Sequence, residues 1–281
     1  MKKILIPTDF THVAYNSTHY GLDFAKQIHA EKVILFNAFQ APVNVSPDPM
    51  VPSIESFDFD ALKKASQESL QIFKQNVVQQ NPGKATVETI SECCTLTTDI
   101  DTIAKENEVD LIIMGITGKG SLSEVFVGSN TIQVSKNTKT PVLIIPPEST
   151  YKIIKQILWV SDYKDVESGT PREEITTLLE ATGASLVVLH VDEEYKDLVD
   201  DIYASEKESI ATMFGDFTVE FFTAHNSDFL EAVSEFAKLK QIDLVVVVPK
   251  VHFFPEKVFH QSYSKSLAFH TDLPLMLIRQ K

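Results

Sequence analysis

Basic residues are outnumbered, cysteines are few and long apolar runs are missing, and each shortage removes a class of function. The 281-residue chain carries 25 Lys and Arg against 39 Asp and Glu, a formal net charge of -14. An acidic surface repels a phosphate backbone, so nucleic acid is not an expected partner. No stretch approaches the roughly 20 apolar residues that span a bilayer, so a membrane is not expected either. The opening MKKILIPTDF has two lysines, but its apolar run stops at Pro7 and meets Asp9, which reads as a first strand rather than a secretion signal. The two cysteines, Cys93 and Cys94, are adjacent, and neighbouring side chains point apart. They read as small residues near a strand end in a protein of the reducing cytoplasm.

What is present is an ordinary globular composition, 43% hydrophobic and 23% charged, in a chain long enough for two domains. An internal repeat organises it. Lys2–Phe10 (KKILIPTDF) is echoed by Lys155–Tyr163 (KQILWVSDY), each an apolar run ending in Asp and an aromatic ring, and Asp9 and Asp162 lie 153 residues apart. Val109–Met114 is echoed by Ile242–Val247, and Thr140–Ile145 by Leu273–Ile278, both at a separation of 133. The second copy is therefore about 20 residues shorter in its middle, which fits loss of a stretch like Ala41–Phe57; its four prolines mark a loop over the first copy. Pro146–Thr150, opening with paired prolines, is the linker, which sets domains at 1–147 and 151–281.

The runs Ile4–Ile6, Val33–Phe36, Leu111–Met114 and Val142–Ile145 are continuously apolar, as strands buried on both faces of a parallel sheet require. Tyr15, Thr18, Leu22, Ala25 and Ile28 recur at helical spacing behind Thr11, a candidate N-cap. Ile100, Ile103 and Ala104 repeat the pattern after Thr98, with Asp101 placed as in a capping box. Strands alternating with helices predict doubly wound α/β domains, in which ligands sit beyond the carboxyl ends of the strands.

The stretch after Met114, Gly115-Ile-Thr-Gly-Lys-Gly-Ser-Leu-Ser-Glu-Val-Phe-Val-Gly-Ser129, holds four of the chain's nine glycines. Gly115, Gly118 and Gly128 fall at a strand end, in a loop and at a helix start, where close backbone approach or positive φ is wanted. A helix running from about Asn130 would aim free N–H groups at a phosphate, helped by the Ser129 and Thr131 hydroxyls, and Lys119, Lys136 and Lys139 make the region locally basic. A glycine-rich turn without ligand remains open on the glycines alone. A Walker loop fails because Gly120 follows Lys119, and the dinucleotide fingerprint fails at Ser123.

The spacing Gly115-x2-Gly118-x9-Gly128-Ser129 resembles the ATP-binding motif of the universal stress protein family, and Pro7–Phe10 and Thr140–Ile145 extend the likeness over the first copy and, more faintly, the second. The resemblance implies two doubly wound α/β domains with five-stranded, mainly parallel sheets, arranged as a pseudo-dimer. It implies ATP, with magnesium, as the ligand. Asp9, with Pro7 and Thr8 beside it, and Ala38 would meet adenine or ribose. Met114, Gly115, Thr117, Gly118, Gly128, Ser129, Asn130 and Thr131 would form the phosphate end. Asn37 departs from the family, where many members have histidine before a valine.

In the second copy Val248, Val251 and Gln261 stand opposite Gly115, Gly118 and Gly128, and only Ser262 is retained, opposite Ser129. ATP binding is therefore expected in the first domain alone. His252, His260 and His270 have no compact metal-ligand spacing, and His12, His19 and His29 are expected at the surface or core edge. No catalytic constellation stands out, so slow ATP hydrolysis is the most the residues support. The implied function is a tandem stress-response regulator that switches with ATP, acts through a regulatory protein and can form a homodimer. A nucleotide-free interaction scaffold is the alternative. A ligase or pyrophosphatase of similar fold is disfavoured because no Ser-Gly-Gly follows the first strand.

Overall fold

The computed structural model describes residues 1–40, 59–116, 129–147, 149–192, 203–249 and 273–280. The N-terminal half comprises β1 (Lys3–Pro7), α1 (His12–Gln27), β2 (Lys32–Phe39), α2 (Phe59–Gln80), β3 (Thr86–Cys93), α3 (Leu96–Glu106), β4 (Leu111–Gly115), α4 (Ser129–Asn137) and β5 (Val142–Ile145). The C-terminal half comprises β6 (Gln156–Val160), α5 (Val166–Gly169), α6 (Arg172–Thr182), β7 (Ser185–Asp192), α7 (Ala204–Met213), β8 (Val219–His225), α8 (Phe229–Lys240), β9 (Leu244–Val247) and β10 (Leu275–Leu277). Ala41–Phe57, Thr117–Gly128 and the three histidines after Val251 lie outside the described residues.

The strands form one ten-stranded sheet in the order β3-β2-β1-β4-β5-β10-β9-β6-β7-β8. Each half is a parallel five-stranded doubly wound sheet with the same internal order, and the halves join where β10 runs antiparallel to β5, pairing Leu275 with Ile144 and Leu277 with Val142. Successive strand residues face opposite sides, so the continuous apolar runs feed two cores. Ile4, Ile6, Leu143, Ile157 and Met276 share one, and Leu5, Ile34, Ile144, Leu158 and Leu275 the other. Both cores run through both halves.

Helix signals read from sequence hold in α1 and shift in α3. Thr11 caps α1, its hydroxyl accepting from the Ala14 N–H at 3.3 Å, and Thr18, Leu22, Ala25 and Ile28 are buried. In α3 the N-cap is Thr95, three residues before Thr98. The carboxylate that reaches back is Asp99, accepting from the Thr95 N–H at 2.8 Å. Asp101 instead accepts from the Lys139 N–H at 3.0 Å and pairs with Lys105, so it ties α3 to the start of β5. The counterpart of α1 in the C-terminal half is broken into α5 and α6 around Pro171, which cannot continue a helix ladder.

The repeat extends to individual hydrogen bonds. One Asp110 oxygen accepts from the Lys2 and Lys3 N–H groups at 2.6 and 2.9 Å, and one Asp243 oxygen from those of Lys155 and Gln156 at 2.8 and 3.0 Å. Each aspartate thus fixes the start of its half's first strand against the strand it precedes.

Both ends of the connection from β5 to β6 pack on α1. Asn16 Nδ2 donates to the Pro146 carbonyl at 3.4 Å, and Tyr20 meets Tyr151 edge-on with ring centres 5.1 Å apart. Gln27 Nε2 donates to the Ile154 and Thr182 carbonyls at 2.8 and 3.0 Å, while its Oε1 accepts from the Ile154 N–H at 2.9 Å and from the Tyr151 hydroxyl. One carboxamide therefore joins α1, the segment leading into β6, and α6. Gln27→Ala strands these partly buried partners and is expected to cost about 1–3 kcal/mol, read as a lower urea midpoint. An unchanged midpoint would mean that the sheet alone holds the halves together.

Candidate functional site

Beyond the carboxyl ends of β1, β2 and β4 lies a cavity of 440 Å³, within the range of small-ligand sites. It gathers Pro7, Thr8, Asp9, Ala38, Met114, Gly115, Asn130 and Thr131, residues scattered over 125 positions of sequence and all named above as candidates. Thr117, Gly118 and Gly128 lie outside the described residues, and α4 begins at Ser129. Sequence reasoning missed a further wall. Cys94–Thr97, at the end of β3 and the start of α3, line the cavity with Gln40, Thr11, Val13 and Ser17. Cys93 and Cys94 were expected near a strand end, but that strand, β3, was not given a place in the sheet, which is what puts its following loop at the same edge.

The wall formed by β1 is a tight turn. The Thr8 N–H donates to the Phe36 carbonyl at 2.8 Å, and Thr8 Oγ1 accepts from the Phe10 N–H at 3.1 Å. Phe10 sits at φ 64°, the left-handed region that non-glycine residues seldom occupy. Asp9 Oδ1 accepts from the Thr11 N–H at 3.1 Å and from the Thr11 hydroxyl at 2.6 Å. Across the cavity, Thr131 Oγ1 donates to the Gly115 carbonyl at 2.8 Å, locking the first turn of α4 onto the end of β4.

Gly115 has a structural reason to be bare. A Cβ there would come within 2.5 Å of Val13 Cγ1 and 2.9 Å of the Val13 carbonyl oxygen, so α1 can approach β4 only over a glycine. The C-terminal half has Val248 at the corresponding place, just past β9.

Three helix starts border the cavity: α1 at Thr11, α3 at Thr95–Thr97 and α4 at Asn130 and Thr131. Their positive dipole ends favour negative charge, and six of the described lining residues carry hydroxyls, Thr8, Thr11, Ser17, Thr95, Thr97 and Thr131. Pro7, Phe36, Ala38, Leu96 and Met114 supply apolar wall. The combination suits a ligand with an apolar ring and an anionic tail. Among the described lining residues the ionisable groups are Asp9 and Cys94, and burial, ahead of the neighbouring Asp99 and Glu92 charges, pushes the Cys94 thiol up to about 11. Among the described residues, neither is paired with a base that would activate a nucleophile.

The turn recurs in the C-terminal half. Ser161 Oγ accepts from the Tyr163 N–H at 3.1 Å, Asp162 Oδ1 from the Lys164 N–H at 3.0 Å, and Tyr163 has φ 54°. His12 and His29 are exposed and His19 is half-buried.

Two substitutions probe this geometry. Gly115→Ala is expected to push α1 off β4 and destabilise the fold by about 1–3 kcal/mol, read by thermal or urea unfolding. Cys94, held as thiol, is expected to alkylate about a hundredfold more slowly at pH 8 than an unperturbed thiol, with the rate climbing until the pH nears 11; peptide mass spectrometry after timed iodoacetamide exposure reads it.

Comparison with known proteins places this geometry. The universal stress protein family model matches residues 1–146. The universal stress protein MJ0531 of Methanocaldococcus jannaschii is 31% identical over 146 residues, 51% of this chain and 81% of its own length. MJ0577 of the same organism, also called a universal stress protein, is 30% identical over 155 residues, 51% of this chain and 94% of its own. The crystal structure of a universal stress protein from Archaeoglobus fulgidus superposes over 99% of this chain and 98% of its own with a TM-score of 0.73 at 16% identity, a likeness of fold that takes in both halves.

Proposed function

Because the chain belongs to the universal stress protein family, we propose that its N-terminal domain, residues 1–147, binds ATP with magnesium at the ends of β1, β2 and β4, and that the chain works as a nucleotide-dependent stress-response regulator. The observation that carries this reading is the convergence of the Thr8–Asp9 turn, Gly115 and the α4 start on one cavity of 440 Å³. Adenine and ribose would lie against Pro7, Asp9 and Ala38. The phosphates would lie toward Gly115, Asn130 and Thr131, and Thr117, Gly118, Gly128 and Ser129 join the phosphate end on their sequence spacing. The fit is chemical as well as spatial. The described lining holds no Lys or Arg, so helix ends, hydroxyls and a magnesium ion would together meet the triphosphate charge.

In the C-terminal domain, residues 151–281, Val248 and Gln261 replace Gly115 and Gly128, and we assign it no ATP. No helix among the described residues is long and apolar enough to cross a membrane. A cytoplasmic setting, an output through a regulatory protein and a homodimer complete the proposal, with nucleic acid disfavoured by the charge of -14. Slow ATP hydrolysis is the most the cavity supports, since Asp9 and Cys94 are the ionisable groups among its described lining residues.

A second reading, a nucleotide-free interaction scaffold, draws on the continuous ten-stranded sheet, in which the degenerate half serves as a built-in partner for the other. Calorimetric titration with magnesium-ATP separates the two. Saturable binding of one nucleotide per chain, lost in Gly128→Val, is expected. No heat at millimolar nucleotide favours the scaffold.

A further inference from the structure

Resting on the nucleotide reading, we infer that Asn37 is the positioning residue for the base end of the cavity, acting through the Thr8–Asp9 main chain without touching the ligand. Phe36 and Ala38, its neighbours on β2, line the cavity, whereas Asn37 faces the other side of the sheet, toward α2, as strand alternation requires. It is buried, with 8% of its surface exposed, and its orientation is fully determined. Nδ2 donates to the Thr8 carbonyl at 2.7 Å, and Oδ1 accepts from the Ser66 hydroxyl at 2.7 Å. The Ser66 hydroxyl in turn lies 2.5 Å from that of Ser91 on β3. With its N–H on the Phe36 carbonyl and its Oγ1 on the Phe10 N–H, Thr8 is then held at every polar atom. The turn so fixed carries the left-handed Phe10 and presents Asp9 to the cavity.

The second half repeats this contact. Ser161 repeats Thr8, with its N–H on the Leu189 carbonyl at 2.9 Å and its Oγ on the Tyr163 N–H. The residue 153 positions after Asn37 is His190, whose Nδ1 lies 3.1 Å from the Ser161 carbonyl. A carboxamide in one half and an imidazole in the other thus answer the same buried carbonyl, and both side chains can donate. Burial pushes the His190 imidazole below its usual range, which keeps it neutral and still able to donate through one nitrogen. Two chemically different side chains meeting one geometric need mark the carbonyl at the end of the first strand as the point that must be held.

The test compares ligands that use both ends of the cavity with one that uses the phosphate end alone. Affinities of the full chain for magnesium-ATP are measured by calorimetry, and those for inorganic tripolyphosphate by competition against ATP. Asn37→Ala is expected to weaken ATP about tenfold, the worth of a buried hydrogen bond, and to leave tripolyphosphate within twofold of wild type. Asn37→His, which installs the donor used by the second half, is expected to bring ATP back to within about threefold of wild type. A general loss of structure would weaken both ligands together and would not be rescued by histidine. If Asn37→Ala does not fold, Ser66→Ala, which removes only the support of the carboxamide, is expected to weaken ATP about threefold and leave tripolyphosphate unchanged. Equal losses for the two ligands, unchanged ATP affinity in the folded variants, or failure of Asn37→His to rescue would each overturn the inference. No ATP binding by the wild-type chain would instead overturn the nucleotide reading, and this inference with it.

Discussion

The antiparallel pairing of β5 with β10 is the constraint on which the rest of the architecture depends. Within each half every strand pair is parallel, so all carboxyl ends lie at one edge of that half's sheet. Reversing direction at the join sends the carboxyl ends of β6, β7 and β9 to the opposite edge. The cavity in the N-terminal half and the matching turn in the C-terminal half therefore face away from each other. The join also hides two strand edges that would otherwise invite pairing with other chains, and it lets both cores pass uninterrupted through Leu143 and Met276 on one face and Ile144 and Leu275 on the other.

Around the cavity, the described lining is poor in charged side chains. Helix starts and hydroxyls supply the polarity, and side chains mainly hold backbone in place: Thr8 and Asn37 at the end of β1, Thr131 at the end of β4, Asp99 at the start of α3. Such a site has low intrinsic charge and depends on preorganised donors. Gly115 illustrates how tightly the two roles are joined. It lines the cavity, yet the clash its missing side chain avoids is with Val13 of the protein's own first helix.

Legibility in the sequence followed burial. β1, β2, β4 and β5 are covered on both faces, and their continuous apolar runs stand out. β3 and β8 are sheet edges with one neighbour each. Thr86–Cys93 and Val219–His225 mix polar and apolar residues, because no residue of either strand is fully buried, and the pattern that finds a central strand passes over them. The strand end expected near Cys93 and Cys94 had no place in the sheet without β3's full extent, so Cys94–Thr97, the part of the cavity that follows it, was missed. In α3 the apolar stripe of Ile100, Ile103 and Ala104 was readable, but Thr95 and Thr98 are equally good capping residues. Only the reach of Asp99 back to the Thr95 N–H decided between them.

The sequence by itself determined the repeat, the class of fold and the glycine spacing, because hydrophobic periodicity and the steric freedom of glycine are local properties written residue by residue. The tertiary structure alone decided which distant residues share a cavity, that Gly115 is bare for the sake of Val13, and that Asn37 and His190 perform one task. Those facts depend on atoms brought together across helices and strands. Contacts of that kind leave no periodic trace along the chain, and they exist only once the packed sheet has fixed every distance.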